Sequence, residues 1–239
     1  MNIFSSAFNA FLYRPLFNSL ILLYEYLPGK DFGFAVIVLT FLLRMLLFPL
    51  MSQTIKYQKI MTEIQPKVKE IQERLKDDQE KQMKEIMALY KEKKISPFSV
   101  FIPLLIQLPL LIALFRVFSA GISSGEMVNL YSFVPSPGEI NYLFLNIVSL
   151  SAPNIILTTL AAATQFFQIK MQNQKTKTKK NEKKGGMAQF SAMSQKQMPY
   201  LLSGFTFIFL LRAPSALSLY LIVTSLFSIG QQRILKKHA

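Results

Sequence analysis

The chain has 239 residues, of which 51% are hydrophobic, and it carries a formal net charge of +14. Its mean hydropathy is +0.31, which fits apolar segments separated by basic loops and excludes a soluble, basic nucleic-acid-binding protein. Cysteine is absent and the apolar segments contain no Asp or Glu, which excludes disulfide frameworks, thiolate metal sites and carboxylate proton relays.

Residues 1–31 form the first predicted element. Apolar residues recur at helical spacing from Leu16 to Leu27, and polar residues, Asn18 among them, lie on the opposite face. No basic segment precedes this stretch and no small-residue cleavage site follows it, which is not typical of a secretory signal peptide. We expect an extracytoplasmic amphipathic helix in the membrane interface that ends near Pro28; a short, poorly ordered leader is the alternative.

The first predicted membrane span, at about 33–52, contains a charged residue. Arg44 lies ~15 Å along a helix from Phe34, which places it near the middle of a ~30 Å hydrocarbon layer. A cation at that depth costs at least ~2.5 kcal/mol, so we expect it to face water or polar groups inside the protein. Thr40 shares its face of the helix, and Pro49 predicts a kink.

Residues 53–96 have a different character, because charged residues alternate with a narrow apolar stripe. Two helices joined by a turn at 76–78, where an aspartate can cap the second helix, predict an antiparallel hairpin in the cytoplasm. The second helix carries Met83, Met87 and Tyr90. Methionine is common both on adaptable binding surfaces and in ordinary cores, and both interpretations stay open here.

The rest of the chain divides into four further apolar segments and the loops between them. We predict spans at about 97–118, 154–171, 198–211 and 215–232, an external loop at 119–153, and a flexible, solvated, basic cytoplasmic loop at 172–197. The fourth span is short, so flanking residues or a thinner bilayer must complete it. Most Lys and Arg residues fall in the hairpin, the basic loop and the tail, which by the positive-inside rule puts the N-terminus outside and the C-terminus in the cytoplasm.

These elements predict an all-α integral membrane protein: an interfacial N-terminal helix, 1–31, followed by a core, 32–239, with a bundle of five transmembrane helices and the cytoplasmic hairpin. Every span carries amides or hydroxyls, including Gln107, Gln165, Gln168 and Tyr220. Hydrogen bonds between helices, worth about 1 kcal/mol or less, explain a single Ser or Thr at this depth. Arg44 is better explained by a hydrated pocket that is open to the cytoplasm and attracts an acidic or polar segment.

Several short motifs occur together in a fixed order. They are Thr-Phe-Leu-Leu-Arg at 40–44, Gln-Pro-Lys at 65–67, Met-Ala-Leu-Tyr-Lys at 87–91, Pro-Leu-Leu-Ile-Gln-Leu-Pro at 103–109 and Ala-Pro-Ser-Ala-Leu-Ser-Leu-Tyr at 213–220. With these motifs the chain, from about residue 11 onwards, resembles the YidC/Oxa/Alb family of membrane protein insertases. It differs from the family at 211–216, where Leu-Arg-Ala-Pro-Ser-Ala replaces the usual Trp-Phe-Pro-Ser-Gly turn.

The resemblance implies a hydrophilic groove that is open to the cytoplasm and to lipid but closed outside. It assigns Arg44, Thr40, Gln107 and Tyr220 to this groove; the polar Gln165 and Gln168 are predicted to join them, and Met83, Met87 and Tyr90 of the hairpin to receive the client. It further implies a location in the bacterial cytoplasmic membrane and nascent membrane proteins as clients, with the lipid bilayer as surroundings. The Sec translocon, the signal recognition particle with its receptor and the ribosome are candidate partners, and no nucleotide, cofactor or metal is expected.

The main alternative is a small transporter or channel that uses Arg44 as an anion site. Such a protein needs a pathway open to both sides and usually has an inverted repeat, and the sequence has no convincing repeat. An enzyme is not predicted, because the spans contain no Ser/His, paired-Asp or metal-ligand set. Specific nucleic-acid recognition is not predicted either, because residues 172–197 lack the interleaved aromatic residues of a stacking surface.

Overall fold

The computed structural model describes residues 3–96, 102–119, 126–172 and 186–237, and helices dominate them, which confirms the all-α class. The helices are α1 (Ile3–Phe8), α2 (Arg14–Tyr26), α3 (Phe32–Leu46), α4 (Phe48–Arg74), α5 (Gln79–Glu92), α6 (Ile102–Ser119), α7 (Ile155–Gln172), α8 (Gly186–Leu210) and α9 (Ser215–Lys237). A five-residue π-helical turn, Asn9–Tyr13, joins α1 to α2. The one β-ladder in the described stretches is antiparallel and pairs β1 (Leu143–Phe144) with β2 (Val148–Ser149).

Judged by length and apolar character, none of the described helices qualifies alone as a membrane span. Helix α3 and the first part of α4, Phe48–Met61, qualify together, with a bend of 63° between them. The segments Leu105–Ser119 and Pro199–Leu210 are apolar but shorter. The arrangement of five spans therefore stays a prediction.

The bend between α3 and α4 confirms the kink predicted at Pro49. Pro49 lies in the first turn of α4, where its missing N–H is tolerated, whereas its ring would clash with the preceding turn of a continuous helix. Helix α4 continues without interruption from Phe48 to Arg74, so the span boundary near residue 52 stays a prediction. The first arm of the hairpin is thus the direct continuation of the helix that follows Arg44.

The apolar face predicted for the N-terminal segment is the buried face of α2, which packs against α3 and α6. Asn18, which the spacing places on the opposite face, is buried too. Its amide nitrogen donates to the carbonyl oxygens of Arg14 (2.7 Å) and Asn129 (3.0 Å), and its amide oxygen accepts from the backbone N–H of Tyr131 (2.7 Å). Burial of Asn18 is tolerated because its hydrogen bonds are made within the protein.

The described part of the predicted external loop, 126–153, is fixed to the ends of two helices. Asp31 caps α3 by accepting from the Phe34 N–H (3.0 Å), and its second oxygen accepts from the Leu145 N–H (2.6 Å). At the start of α9 the N–H of Ala216 donates to the carbonyl of Leu150 (3.1 Å). The loop therefore connects α3 and α9 on one side of the molecule.

The boundaries of the last two predicted spans change. The basic loop predicted at 172–197 is wrong for residues 186–197, which belong to α8; Met, Ala, Gln and Lys are good helix formers even where the sequence is polar. Residues 173–185 lie outside the described part. The apolar segment of the fourth predicted span is the C-terminal part of the longer helix α8, and α9 continues past residue 232 to Lys237.

Helices α4 and α5 pack against each other through a small apolar cluster of Ile64, Leu89 and Ile95. The predicted aspartate cap is confirmed: Asp78 accepts from the backbone N–H of Lys81 (3.0 Å) at the start of α5. This N–H and the Lys81 side chain stabilise the carboxylate and lower the pKa of Asp78. The cytoplasmic position of this helix pair stays a prediction.

Gly33→Ala should destabilise the packing of the loop on α3. A Cβ at residue 33 would lie within 2.8 Å of the Phe144 Cβ and closer still to its ring, so β1 would have to move. We expect the free energy of unfolding of the detergent-solubilised protein to fall by about 1–3 kcal/mol. Gly204→Ala, where the added Cβ meets no atom within 4 Å, is the control and should be neutral or stabilising. Equal stability of the two variants would contradict the close packing of Phe144 on α3.

Candidate functional site

Three of the predicted groove residues meet at one level of the helix bundle. Arg44, on the last turn of α3, is only 6% exposed, and its Nη2 donates to Oε1 of Gln107 on α6 (2.9 Å). The Gln107 amide nitrogen in turn donates to the hydroxyl of Tyr220 on α9 (2.7 Å), a side chain that is 1% exposed. The chain Arg44–Gln107–Tyr220 therefore ties three helices together.

The pattern of α3 explains why Arg44 points inwards. Thr40, one turn earlier, is buried on the same face, and its hydroxyl donates to the Val36 carbonyl of its own helix (2.6 Å). Phe41 and Met45 lie on the other side of α3 and are exposed. The helix thus keeps its polar residues inside and turns large apolar side chains outwards.

No carboxylate lies within ion-pairing distance of Arg44 in the part of the chain that the structure describes. Its partners are a neutral amide and a phenol, and an arginine keeps its charge in any protein environment. The positive charge is therefore held by hydrogen bonding and is not neutralised. Within the same described residues, His, Asp and Glu side chains form no group that could hold a metal ion.

Helix α9 carries a stripe of buried polar residues below Tyr220: Thr224, Ser228 and Gln231, at spacings of 4, 4 and 3 residues. The Gln231 amide nitrogen donates to the Phe48 carbonyl at the α3–α4 bend (3.1 Å) and to the Ser52 hydroxyl (3.0 Å). Since Gln231 follows Tyr220 by eleven residues on the continuous helix α9, the two levels of contact are ~16 Å apart along α9. We call Arg44, Gln107, Ser52 and the polar residues of α9 from Tyr220 to Gln231 the polar track.

Several atoms along α9 are buried without a hydrogen-bond partner among the described residues. They are the hydroxyl of Ser218 and both amide atoms of Gln232. A buried polar group without a partner costs about 1–3 kcal/mol. Helical spacing puts Ser218 about 160° round α9 from Tyr220, so this unused hydrogen-bonding capacity lies apart from the chain Arg44–Gln107–Tyr220.

Gln165 and Gln168 are not part of this hydrogen-bond network. Both are half-buried on α7, which packs against α8 and α9, and Oε1 of Gln165 is buried without a partner among the described residues. Their assignment to the groove stays a prediction.

The three residues predicted to receive the client differ in exposure. Met83 and Met87 are 44% and 40% exposed on α5, so their side chains are accessible. Tyr90 is half-buried and packs on the apolar cluster between α4 and α5, and this burial raises the pKa of its hydroxyl. Of the three, the methionines suit a binding surface and Tyr90 supports the hairpin.

Gln231 and Ser52 are polar-track residues that the sequence analysis does not assign to the groove. A signal for Gln231 is present, because it continues the helical spacing of Tyr220, Thr224 and Ser228. The bend at Pro49, which presents the Phe48 carbonyl, gives the Gln231 amide its partner.

Comparison with known proteins gives a consistent result. The family model described as 60Kd inner membrane protein matches residues 22–239. A protein of Wolinella succinogenes named "Membrane protein insertase YidC" is 32% identical over 230 residues, 96% of this chain and 38% of the relative. Proteins of the same name from Geobacter sp. (strain M21) and Syntrophus aciditrophicus are 31% and 32% identical over 94% and 95% of this chain. The chain spans little more than a third of the length of these relatives, 36% and 37% for the last two.

Tyr220→Phe should lower stability, because it removes the hydroxyl that accepts from Gln107 and leaves a buried amide N–H without its partner. We expect the free energy of unfolding to fall by about 1–2 kcal/mol, measured by denaturant unfolding in detergent. Tyr200→Phe, at a side chain that is 68% exposed, is the matched control and should change it by less than ~0.5 kcal/mol. A Tyr220→Phe protein as stable as the control would show that the link contributes nothing.

Proposed function

The chain belongs to the 60Kd inner membrane protein family, and we propose that it is a membrane protein insertase and chaperone. In this proposal, nascent membrane proteins enter a hydrophilic groove that is open to the cytoplasm and coincides with the polar track. Their transmembrane segments then leave sideways into the bilayer, and short hydrophilic tails are moved across.

The buried, unneutralised charge of Arg44 is the observation that carries this proposal. A guanidinium has five N–H groups, and the Gln107 amide oxygen accepts only from Nη2. Together with the Tyr220 hydroxyl, this leaves several guanidinium donors for water, and in the proposed function that water partly hydrates the groove. A cation in such a site attracts an acidic segment more strongly than it would in bulk water, because the local dielectric constant is lower.

Exposed apolar side chains support a position in the bilayer. Large examples occur on α3, α6, α7 and α8: Phe41, Leu46, Leu105, Ile112, Ile156, Phe167, Phe205 and Ile208. Soluble monomers rarely expose contiguous apolar patches larger than a few hundred Å², so surfaces of this kind favour contact with lipid. We propose five spans in the bacterial cytoplasmic membrane, with the N-terminus outside and the C-terminus in the cytoplasm.

The two ends of the bundle differ in a way that suits one-sided entry. The end near loop 126–153 is closed by buried apolar side chains, including Phe32, Phe118 and Leu217. The polar track extends from Arg44 away from that end, towards Ser52 and the hairpin. In the proposed orientation, a polar tail enters from the cytoplasm, and burial of the client's apolar segment in lipid drives its release.

The helix pair α4–α5 is the proposed receiving element. Its accessible methionines, Met83 and Met87, provide an adaptable apolar surface, and α4 continues directly from the bend beside the polar track. Contacts of this hairpin with the signal recognition particle, its receptor, the ribosome and the Sec translocon belong to the same proposal.

Arg44→Ala should impair insertion of a single-span client with an acidic N-terminal tail by about tenfold, the size of a lost hydrogen bond to a charged group. The measurement is protease protection of the client in liposomes that contain the purified protein. Arg44→Lys should retain most activity, because it keeps the charge. Arg212→Ala, which removes an exposed cation outside the site, is the control and should resemble wild type.

Two outcomes of this experiment would count against the proposal. Equal insertion by the wild type, Arg44→Ala and Arg44→Lys would limit Arg44 to a structural role. Insertion by the wild type no greater than in empty liposomes would contradict the insertase function itself.

Met83→Ser combined with Met87→Ser should reduce client capture without affecting the fold, because both side chains are exposed. Site-specific crosslinking from α5 to a stalled nascent client should fall several-fold, while the thermal midpoint stays unchanged. Tyr90→Ala should instead lower the midpoint, because Tyr90 packs between α4 and α5. Unchanged crosslinking in the double methionine variant would exclude these residues from the receiving surface.

A further inference from the structure

A cavity of about 410 Å³ lies at the C-terminal end of α6, apart from the polar track. Its wall includes Asn9, Tyr13, Phe115, Arg116, Glu126 and Asn129. This volume is within the range of ~300–1,000 Å³ typical of small-molecule sites. Arg116 lies near the end of α6, where its side chain could simply reach the membrane surface by snorkelling. Its place in this wall means that it also contributes to a concave polar site.

The π-helical turn Asn9–Tyr13 forms one side of the cavity and contributes both of its terminal residues to the wall. Short π-helical segments are rare and are found frequently at functional sites. The Tyr13 hydroxyl donates to Oε2 of Glu126 (2.6 Å), and the amide of Asn129 donates to the same oxygen (2.8 Å). Burial and this hydrogen bond raise the pKa of Tyr13, so the phenol stays a donor and holds the carboxylate in place.

The cavity has two opposite charges that do not form an ion pair with each other. Arg116 and Glu126 are not within ion-pairing distance of each other, although both line the same wall. The guanidinium carbon of Arg116 lies 5.2 Å from the centre of the Phe8 ring. The site therefore presents a cation against an aromatic surface on one side and a fixed carboxylate on the other.

We propose that this cavity binds the zwitterionic headgroup of an aminophospholipid, with the phosphate on Arg116 and the ammonium on Glu126. A guanidinium is suited to phosphate, and a carboxylate is suited to ammonium. The exposed Leu105, Leu108 and Ile112 of α6 and the exposed Phe11 provide apolar surface for the acyl chains. The proposal rests on the membrane placement given above, and in that orientation the lipid belongs to the outer leaflet.

The test uses the purified full chain in detergent, and native mass spectrometry counts the lipids bound. Dihexanoyl phosphatidylethanolamine is compared with dihexanoyl phosphatidylglycerol, which has the phosphate without the ammonium. We expect one phosphatidylethanolamine per chain, bound about tenfold more tightly than phosphatidylglycerol because the charge-assisted bond to Glu126 is added. Arg116→Gln should weaken both lipids about tenfold, whereas Arg212→Gln, the control for loss of one positive charge, should weaken neither.

The Glu126→Gln variant tests the proposal even if Arg116→Gln lowers the stability of the protein. It should abolish the preference for phosphatidylethanolamine while phosphatidylglycerol still binds, a pattern that loss of folded protein cannot produce. Equal binding of the two lipids by wild type, or unchanged binding in Arg116→Gln, would overturn the proposal. If free phosphoethanolamine competed as effectively as the lipid, the ligand would be a soluble zwitterion and not a membrane lipid, which would overturn the proposal. Client insertion is measured in a separate experiment, so a failure of the insertase function would not change the interpretation of the lipid-binding result.

Discussion

The structure depends on one constraint: a guanidinium buried in an apolar helix without a counter-charge among the described residues. At membrane depth such a charge costs at least ~2.5 kcal/mol, and each hydrogen bond between helices returns about 1 kcal/mol or less. The two hydrogen bonds that the Gln107 amide and the Tyr220 phenol can offer are therefore too few to compensate the cost of burying this charge. The helices α3, α6 and α9 meet at this level, and in the proposed function the space beside Arg44 admits polar molecules.

The bend at Pro49 connects the level of Arg44 to the hairpin. It ends α3 just after Arg44 and presents the Phe48 carbonyl to Gln231 of α9. From there α4 continues for 27 residues, about 40 Å of helix, to the turn before α5. Helix α4 thus connects the level of the buried cation to the hairpin whose second helix, α5, carries the surface proposed to receive a client, and Gln231 fixes the start of α4 to the bundle.

The parts that the sequence predicted are those set by local spacing or by a single costly residue. The apolar face of α2, the kink at Pro49 and the cap at Asp78 follow from periodicity, ring geometry and side-chain chemistry. Arg44 is predicted from the cost of a cation at membrane depth, whereas Gln107 and Tyr220 are assigned to the groove by the family resemblance. The link between Gln231 and Ser52 depends on which helices are neighbours, and spacing within one helix does not contain that information.

The predicted loops show the same limit, because their contacts also depend on which elements are neighbours in the fold. Residues 126–153 are rich in turn-forming residues and have little periodicity, yet two hydrogen bonds fix them to the starts of α3 and α9. The Leu145 N–H donates to the Asp31 carboxylate, and the Ala216 N–H donates to the Leu150 carbonyl. On the loop side both bonds use backbone groups, which have no sequence signature, so the contacts leave little trace in the sequence. Among the described residues, the polar track meets buried apolar side chains towards the loop and continues in polar side chains towards the hairpin. In the proposed function, a groove that accepts tails from one side needs polar groups only where the bundle is open, and this asymmetry suits that requirement.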